Sequence, residues 1–252
     1  MQCSYSVHAR FMHSSCERVV AAAQRLGQAC WIALVAMPAA AGSFTPPESC
    51  TLTMTVQQRS CTVAQHFICT TDAPGDQRVA YFTRDGLVYD SLIDAETRWL
   101  SSRDYASGIT DTLEDEAEDH ASLKTLLATG RDDFDFWTVS DSGERLRHVG
   151  HDVLTGKTVI DGLTLDLTRF ELKTFSASGD LLIERSGSQF VSRETRRFYG
   201  GLETSRDREG TEDNSNDTPV RFIRPGQAGF ASTEPQYDCD QQMVGSFTRG
   251  GA

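Results

Sequence analysis

Short runs of alternating apolar and polar residues, each closed by a turn signal, recur along most of the chain beyond residue 50, and this rhythm is what most constrains the fold. Residues 50–56 set the pattern: Cys50, Leu52, Met54 and Val56 fall on one side, and Thr51, Thr53 and Thr55 on the other. A period of two is the signature of a strand with one face buried. Further strand runs are read at 79–82, 87–93, 134–139, 145–149, 158–160, 163–175, 181–184, 190–199 and 220–223. Between them stand Asp85-Gly86, Asp141-Ser142-Gly143, Thr155-Gly156, Asp161-Gly162, Ser178-Gly179 and Ser186-Gly187, all of them turn formers. The spacing predicts a mainly β chain, a curved antiparallel meander or half-barrel with one short helix. That helix is placed at 121–128, where Leu123, Leu126 and Leu127 share a face ahead of the stop residue Gly130, just after the acidic run 111–118.

Residues 1–41 read as a signal peptide: a basic stretch, then the apolar core 29–36, then Pro38 and the small residues Ala39, Ala40 and Ala41 at a cleavage site. Residues 42–240 are expected to form one β-rich domain, and 241–252 a disordered tail. No later run approaches the length of a membrane-spanning helix, so the expected location is periplasmic or secreted, soluble after cleavage. Beyond the leader the chain holds 21 basic and 35 acidic residues, a net charge of −14. A surface so acidic repels phosphate backbones and anionic lipid, which argues against nucleic acid as a partner.

Four cysteines follow the leader: Cys50, Cys61, Cys69 and Cys239. Their spacing does not suit zinc, and an even number in an exported chain points to disulfides. If 50–56 and 63–69 form a hairpin about Arg59-Ser60, Val56 faces Val63, Leu52 faces Phe67 and Cys50 faces Cys69, within disulfide reach. Cys61 is then left to pair with Cys239.

Chemistry is harder to find. His148-x-x-His151-Asp152 is the most metal-like cluster, but residues three apart on a strand point to opposite faces unless Gly150 bends the chain. Asp213, Ser215 and Asp217 alternate like the oxygen ligands of a calcium loop, yet the glycine and distal glutamate of the full pattern are missing, and 205–217 reads as a mobile surface loop. Asp132, Asp133 and Asp135 surround Phe134 and Phe136, as acids around a glycosidase cleft would, in a chain where acids are common. Phe190, Phe198 and Tyr199 lie near Arg193, Arg196 and Arg197, which reads as cation and aromatic packing on a strand. Nucleophile elbows, zinc-protease helices, phosphate loops, dinucleotide fingerprints and redox cysteine pairs are all missing from the sequence. No catalytic, cofactor-binding or metal-binding residue is assigned.

The segment Leu154-Thr155-Gly156-Lys157-Thr158-Val159-Ile160-Asp161-Gly162, the long strand after it and the turn Ser178-Gly179-Asp180 resemble the meander of periplasmic lipoprotein-carrier half-barrels and related exported β-rich proteins. The resemblance covers about a third of the mature chain and carries over no functional residue. It implies a strongly curved antiparallel sheet around an apolar cavity, closed by the helix ending near Ala128. The expected function is an exported, non-catalytic module that binds an apolar ligand or a cell-envelope protein. The alternatives are a secreted hydrolase using acidic residues and a calcium-stabilised extracellular module.

Overall fold

A computed structural model describes residues 42–240; the leader and the expected tail lie outside these residues. The described residues are mainly β, with one helix and one large, curved antiparallel sheet that is not closed. The strands are β1 (Cys50–Gln58), β2 (Thr62–Cys69), β3 (Gln77–Thr83), β4 (Gly86–Ile93), β5 (Trp99–Asp104), β6 (Thr110–Leu113), β7 (Arg131–Ser140), β8 (Arg145–Ile160), β9 (Leu163–Ser176), β10 (Leu181–Ser192), β11 (Arg197–Tyr199), β12 (Leu202–Asp207), β13 (Glu212–Asn216) and β14 (Pro219–Ile223), with helix α1 (Leu123–Thr129) between β6 and β7. Their order across the sheet is β13-β12-β10-β9-β8-β7-β6-β5-β4-β3-β2-β1-β14, and β11 pairs with β10 off this path. The two outermost strands, β13 and β14, are joined by Asp217 and Thr218 alone, so the sheet coils until its edges are neighbours in sequence without pairing.

Where the pattern is strict, the reason for the strand is plain. In β7 the buried positions are Asp132, Phe134, Phe136, Thr138 and Ser140, with Asp133, Asp135 and Trp137 on the other face. The helix begins at Ser122, whose hydroxyl accepts the Thr125 N–H at 3.2 Å, and ends at Gly130, whose φ of 85° and N–H to the Leu126 carbonyl form a left-handed stop. Leu123 and Leu126 pack on Val191, with Leu154 and Phe198 beside them. One inner face of β1 to β3 (Met54, Val56, Ala64, Val79), with Phe222 from the neighbouring β14, packs against Leu163, Leu165, Phe190 and Tyr199. A third cluster joins Phe134, Phe136, Phe170 and Leu172 with Trp99 and Leu113.

Both faces of β1 and β2 are covered. On the outer one, Leu52, Phe67 and Ala80 meet Phe44 and Phe230, and a strap of residues 231–239 crosses the strands. It is held to the strands mainly by side chains, with one backbone bond from the Cys61 N–H to the Tyr237 carbonyl at 3.0 Å. The Gln57 amide donates to the Glu234 carbonyl at 2.9 Å and accepts from the Gln236 N–H at 3.0 Å; Gln65 donates to the Ser232 carbonyl at 2.6 Å, and the Thr55 hydroxyl accepts from the Ala231 N–H at 2.8 Å. Disulfides join Cys50 to Cys69 and Cys61 to Cys239, the latter fastening the end of the strap.

Several expectations need correction. The β1–β2 register pairs Cys50 with Cys69 and Leu52 with Phe67, but Val56 faces Ala64, not Val63. The turn has three residues, Arg59, Ser60 and Cys61, with φ of 62° at Ser60 and 54° at Cys61, and a bulge between Leu52 and Met54 restores the register at the cysteines. Thr155-Gly156 and Ser186-Gly187 are not turns: the first sits at a register shift inside β8, the second inside β10. Gly187 is needed there because a Cβ would stand 2.0 Å from the Leu202 carbonyl oxygen. The run 190–199 breaks between Ser192 and Arg197 into β10 and β11. The expected loop 205–217 contains β13, paired with β12 from Leu202↔Asn216 to Arg206↔Glu212, and β5 and β6 form where no apolar alternation announced them.

Candidate functional site

The coil leaves a cleft where the outer edge of β14 approaches the β8–β9 hairpin. The hairpin turns on Asp161 and Gly162, with φ of 46° and 80°, the left-handed pair that a two-residue turn requires. The Asp161 carboxylate accepts the Phe222 N–H at 2.8 Å and Arg221 Nε at 3.3 Å, so the turn residue also caps the free edge of β14. Beside it opens a cleft of about 530 Å³ lined by Lys157, Asp161, Leu163, Thr164, Asp166, Arg193, Glu194, Phe222 and Arg224. Leu163 and Phe222 belong to the main core cluster, so the cleft reaches down to apolar side chains. Its charges are tied in pairs: Arg193 to the buried Asp166 at 2.5 Å, and Arg224 to Glu194 at 2.7 Å. Lys157 stands 4.0 Å from Asp166 and is largely exposed, the cation least held. Among the described residues no histidine, serine or cysteine lines this space.

A second constellation lies on the inner face of β7 and β8. Asp132 and Asp152 are directly opposite across the two strands. Asp132 accepts the Ser122 N–H at 2.8 Å at the start of α1, and Asp152 Oδ1 is buried without a hydrogen-bond partner. Burial raises both carboxyls, Asp132 to about 6 against the opposing pull of its Ser122 hydrogen bond, and Asp152 to about 7 with the Asp132 charge adding to it. Such a pair can hold a proton at neutral pH and give it up, as an acid catalyst must. Glu96 is close by, accepting the Ser122 hydroxyl at 3.1 Å and the Lys124 N–H at 2.8 Å.

The structure separates the metal-like histidines as strand parity requires. His148 points inward, its Nε2 2.9 Å from Thr138 Oγ1 and its Nδ1 3.2 Å from Thr174 Oγ1, packed on Phe136 and Trp99. Burial, with the Arg185 charge in support, lowers its pKa to about 4. His151 lies on the opposite face, across from Asp133. Asp213 and Ser215 sit on β13, a paired strand, and Asp217 turns toward the Ser60 hydroxyl. Among the described residues no group of three His, Cys, Asp or Glu is placed to hold a metal ion, and no helix among them is long and apolar enough to cross a membrane.

The sequence singled out Asp132 and Asp152 in separate motifs but not as partners, and it read Asp161 only as a turn. Parity could have placed Asp132 with Phe134 and Phe136. Its pairing with Asp152 depended on the β7–β8 turn length. Comparison with protein families, with curated proteins and with solved structures finds no match to this chain.

Proposed function

We propose that this chain is an exported binding module without a reaction of its own, and that it receives an apolar group of a small ligand or a cell-envelope partner in the cleft between β14 and the β8–β9 hairpin. The observation that supports this reading is the composition of the cleft: Leu163 and Phe222 below, and charges tied in ion pairs around them. Leu163 and Phe222, members of the main core cluster, are the large apolar side chains that line the cleft and that a ligand's apolar group would meet. Such sites bind through a modest apolar area, with a few polar groups fixing orientation. The two disulfides suit an oxidising compartment, in keeping with the leader read from the sequence. A fluorescent fatty acid serves as the probe: saturable binding is expected, weakened at least tenfold in Thr164→Trp, whose indole fills the cleft from an exposed position. Binding that does not saturate, or that the tryptophan leaves unchanged, overturns the reading.

A secreted hydrolase is the second reading, favoured by the opposed carboxyls of Asp132 and Asp152. It predicts turnover on a panel of ester, glycoside and peptide substrates with a pH profile set by the pair, abolished in Asp152→Asn. Absence of turnover across the panel disposes of it.

A further inference from the structure

The interior carries a second feature, remote in role from both readings. Arg197, the first residue of β11, is 4% exposed, and His66 in the middle of β2 is also 4% exposed. A guanidinium keeps its charge at any pH a protein experiences. Arg197 nevertheless forms no ion pair among the described residues: its one hydrogen bond is a long one, 3.4 Å from Nη1 to Gln77 Oε1, and its Nε has no partner. Both ring nitrogens of His66 are buried and without partners. The two residues belong to one neighbourhood. The Arg197 charge acts on His66, on Tyr81 and on Tyr199, the His66 ring meets the edge of Tyr199 at 5.5 Å, and Arg197 lies 6.0 Å from that same ring.

Other side chains around it are committed. Gln77 Nε2 is spent on the Thr195 and Arg196 carbonyls, and the Tyr199 hydroxyl pairs with Thr195 Oγ1 at 2.9 Å. An uncompensated charge in such a place costs several kcal/mol, and the usual remedy is a carboxylate on the facing strand. The positions facing His66 on β1 and β3 are Met54 and Val79, and the one facing Arg197 on β10 is Ser192, so no carboxylate stands opposite either residue. Two buried polar side chains thus meet the Tyr199 ring, Arg197 with one long hydrogen bond and a bare Nε, His66 with no hydrogen bond, and no carboxylate among the described residues pairs with either.

We propose that Arg197 and His66 form a buried receptor for one small monovalent anion, chloride or a carboxylate of similar size, held by Arg197 Nε and an imidazole N–H between Tyr81 and Tyr199. The anion neutralises the guanidinium and gives the histidine its missing partner, so the folded protein binds it and the unfolded chain does not. Stability then rises with anion concentration in a saturable way.

The test is thermal denaturation at constant ionic strength, with gluconate replaced stepwise by chloride, bromide or formate. The melting temperature of the wild-type protein is expected to climb and level off with each small anion, chloride and formate arms ranking the two chemistries. Arg197→Met, an apolar replacement that needs no counter-ion, is expected to melt at a temperature indifferent to the anion, and His66→Gln to shift the chloride midpoint at least tenfold. A response in the wild-type protein no greater than in gluconate, or one that survives in Arg197→Met, overturns the proposal. If Arg197→Met does not fold, crystals of the wild-type protein grown in bromide decide: an anomalous peak beside Arg197 supports the receptor, and its absence at saturating bromide refutes it.

Discussion

Breaking the Cys61–Cys239 bond is expected to cost more stability than breaking Cys50–Cys69, because the two bridges close loops of very different length. They join residues 178 and 19 positions apart. In the chain-entropy relation a loop of the first length restricts the unfolded state by about 5 kcal/mol, and one of the second by about 3 kcal/mol. Both bridges flank the same hairpin, and in both cases the native hydrogen bonds survive: the β1–β2 ladder on one side, and the Gln57, Gln65 and Thr55 bonds to the strap on the other. Native-state losses therefore nearly cancel, and the difference reports on the unfolded chain. For a domain of about 200 residues these losses lower the melting temperature by about 12 and about 7 °C. The assay is denaturant unfolding of Cys61→Ala/Cys239→Ala and Cys50→Ala/Cys69→Ala, with the m-value expected to rise in both as the unfolded state expands. If the long-loop variant loses less than the short-loop variant, the unfolded chain already keeps the strap near β1 and β2, and loop length is the wrong explanation.

Other perturbations follow the same logic. Asp132 and Asp152 keep their protons to about pH 6 and about 7, against about 3.9 for a free aspartate, so the folded state binds more protons across that window and stability falls as pH rises through it. His148, lowered to about 4, acts in the opposite sense below pH ~6.5 and is common to both proteins. Asp152→Asn is therefore expected to flatten the difference curve and to stabilise the protein at pH 8 by roughly 2 kcal/mol, after allowance for solvent screening; parallel curves would show that the pair does not hold its protons. Gly187→Ala drives a Cβ against the Leu202 carbonyl and should cost about 2 to 3 kcal/mol in chemical denaturation, whereas Gly156→Ala, which meets only a Leu167 methyl at 3.9 Å, should be close to neutral. Equal effects at the two glycines would count against the register of β10 with β12. Gln57→Leu removes two strap bonds and should expose residues 231–238 to limited proteolysis, with the fragment still attached through Cys239; uncut protein means that the Gln65, Thr55 and Cys61 bonds, together with the disulfide, hold the strap without Gln57. If the leader read from the sequence is removed on export, N-terminal sequencing of the mature protein should read from at or near Gly42, and a chain retaining Trp31 would remove the export argument.

Legibility of the fold tracked burial. β7 and β9 could be read residue by residue because one face of each is core, and α1 because Ser122 and Gly130 punctuate it. β5 and β13 could not, since Trp-Leu-Ser-Ser-Arg-Asp and Glu-Asp-Asn-Ser-Asn offer no apolar period; these strands exist because a neighbour presents a free ladder edge, which is information from elsewhere in the chain. Glycine misled the reading for a related reason. At Gly156 and Gly187 the residue answers to a register shift and to a close backbone approach inside long strands, and only the three-dimensional neighbour distinguishes these uses from a turn. For the site, parity alone separated His148 from His151. The meeting of Asp132 with Asp152 needed the β7–β8 register, and the cleft needed β14 to return beside a hairpin some 60 residues earlier, as the Asp161 bond to Phe222 records.

That bond explains why the cleft stands where it does. β14 is an outer strand, and a free edge in a sheet this long invites pairing with another chain. Asp161 prevents this at Phe222 by taking the N–H into its carboxylate, and it draws Arg221 to the same oxygen. The β8–β9 hairpin therefore reaches the edge through one turn residue and does not add a strand to it. A hairpin that meets the edge through one side chain forms no ladder with it, and the space on the flank of that contact is the cleft, floored by Leu163 and Phe222. The protected edge and the candidate binding site are consequences of the same two-residue turn.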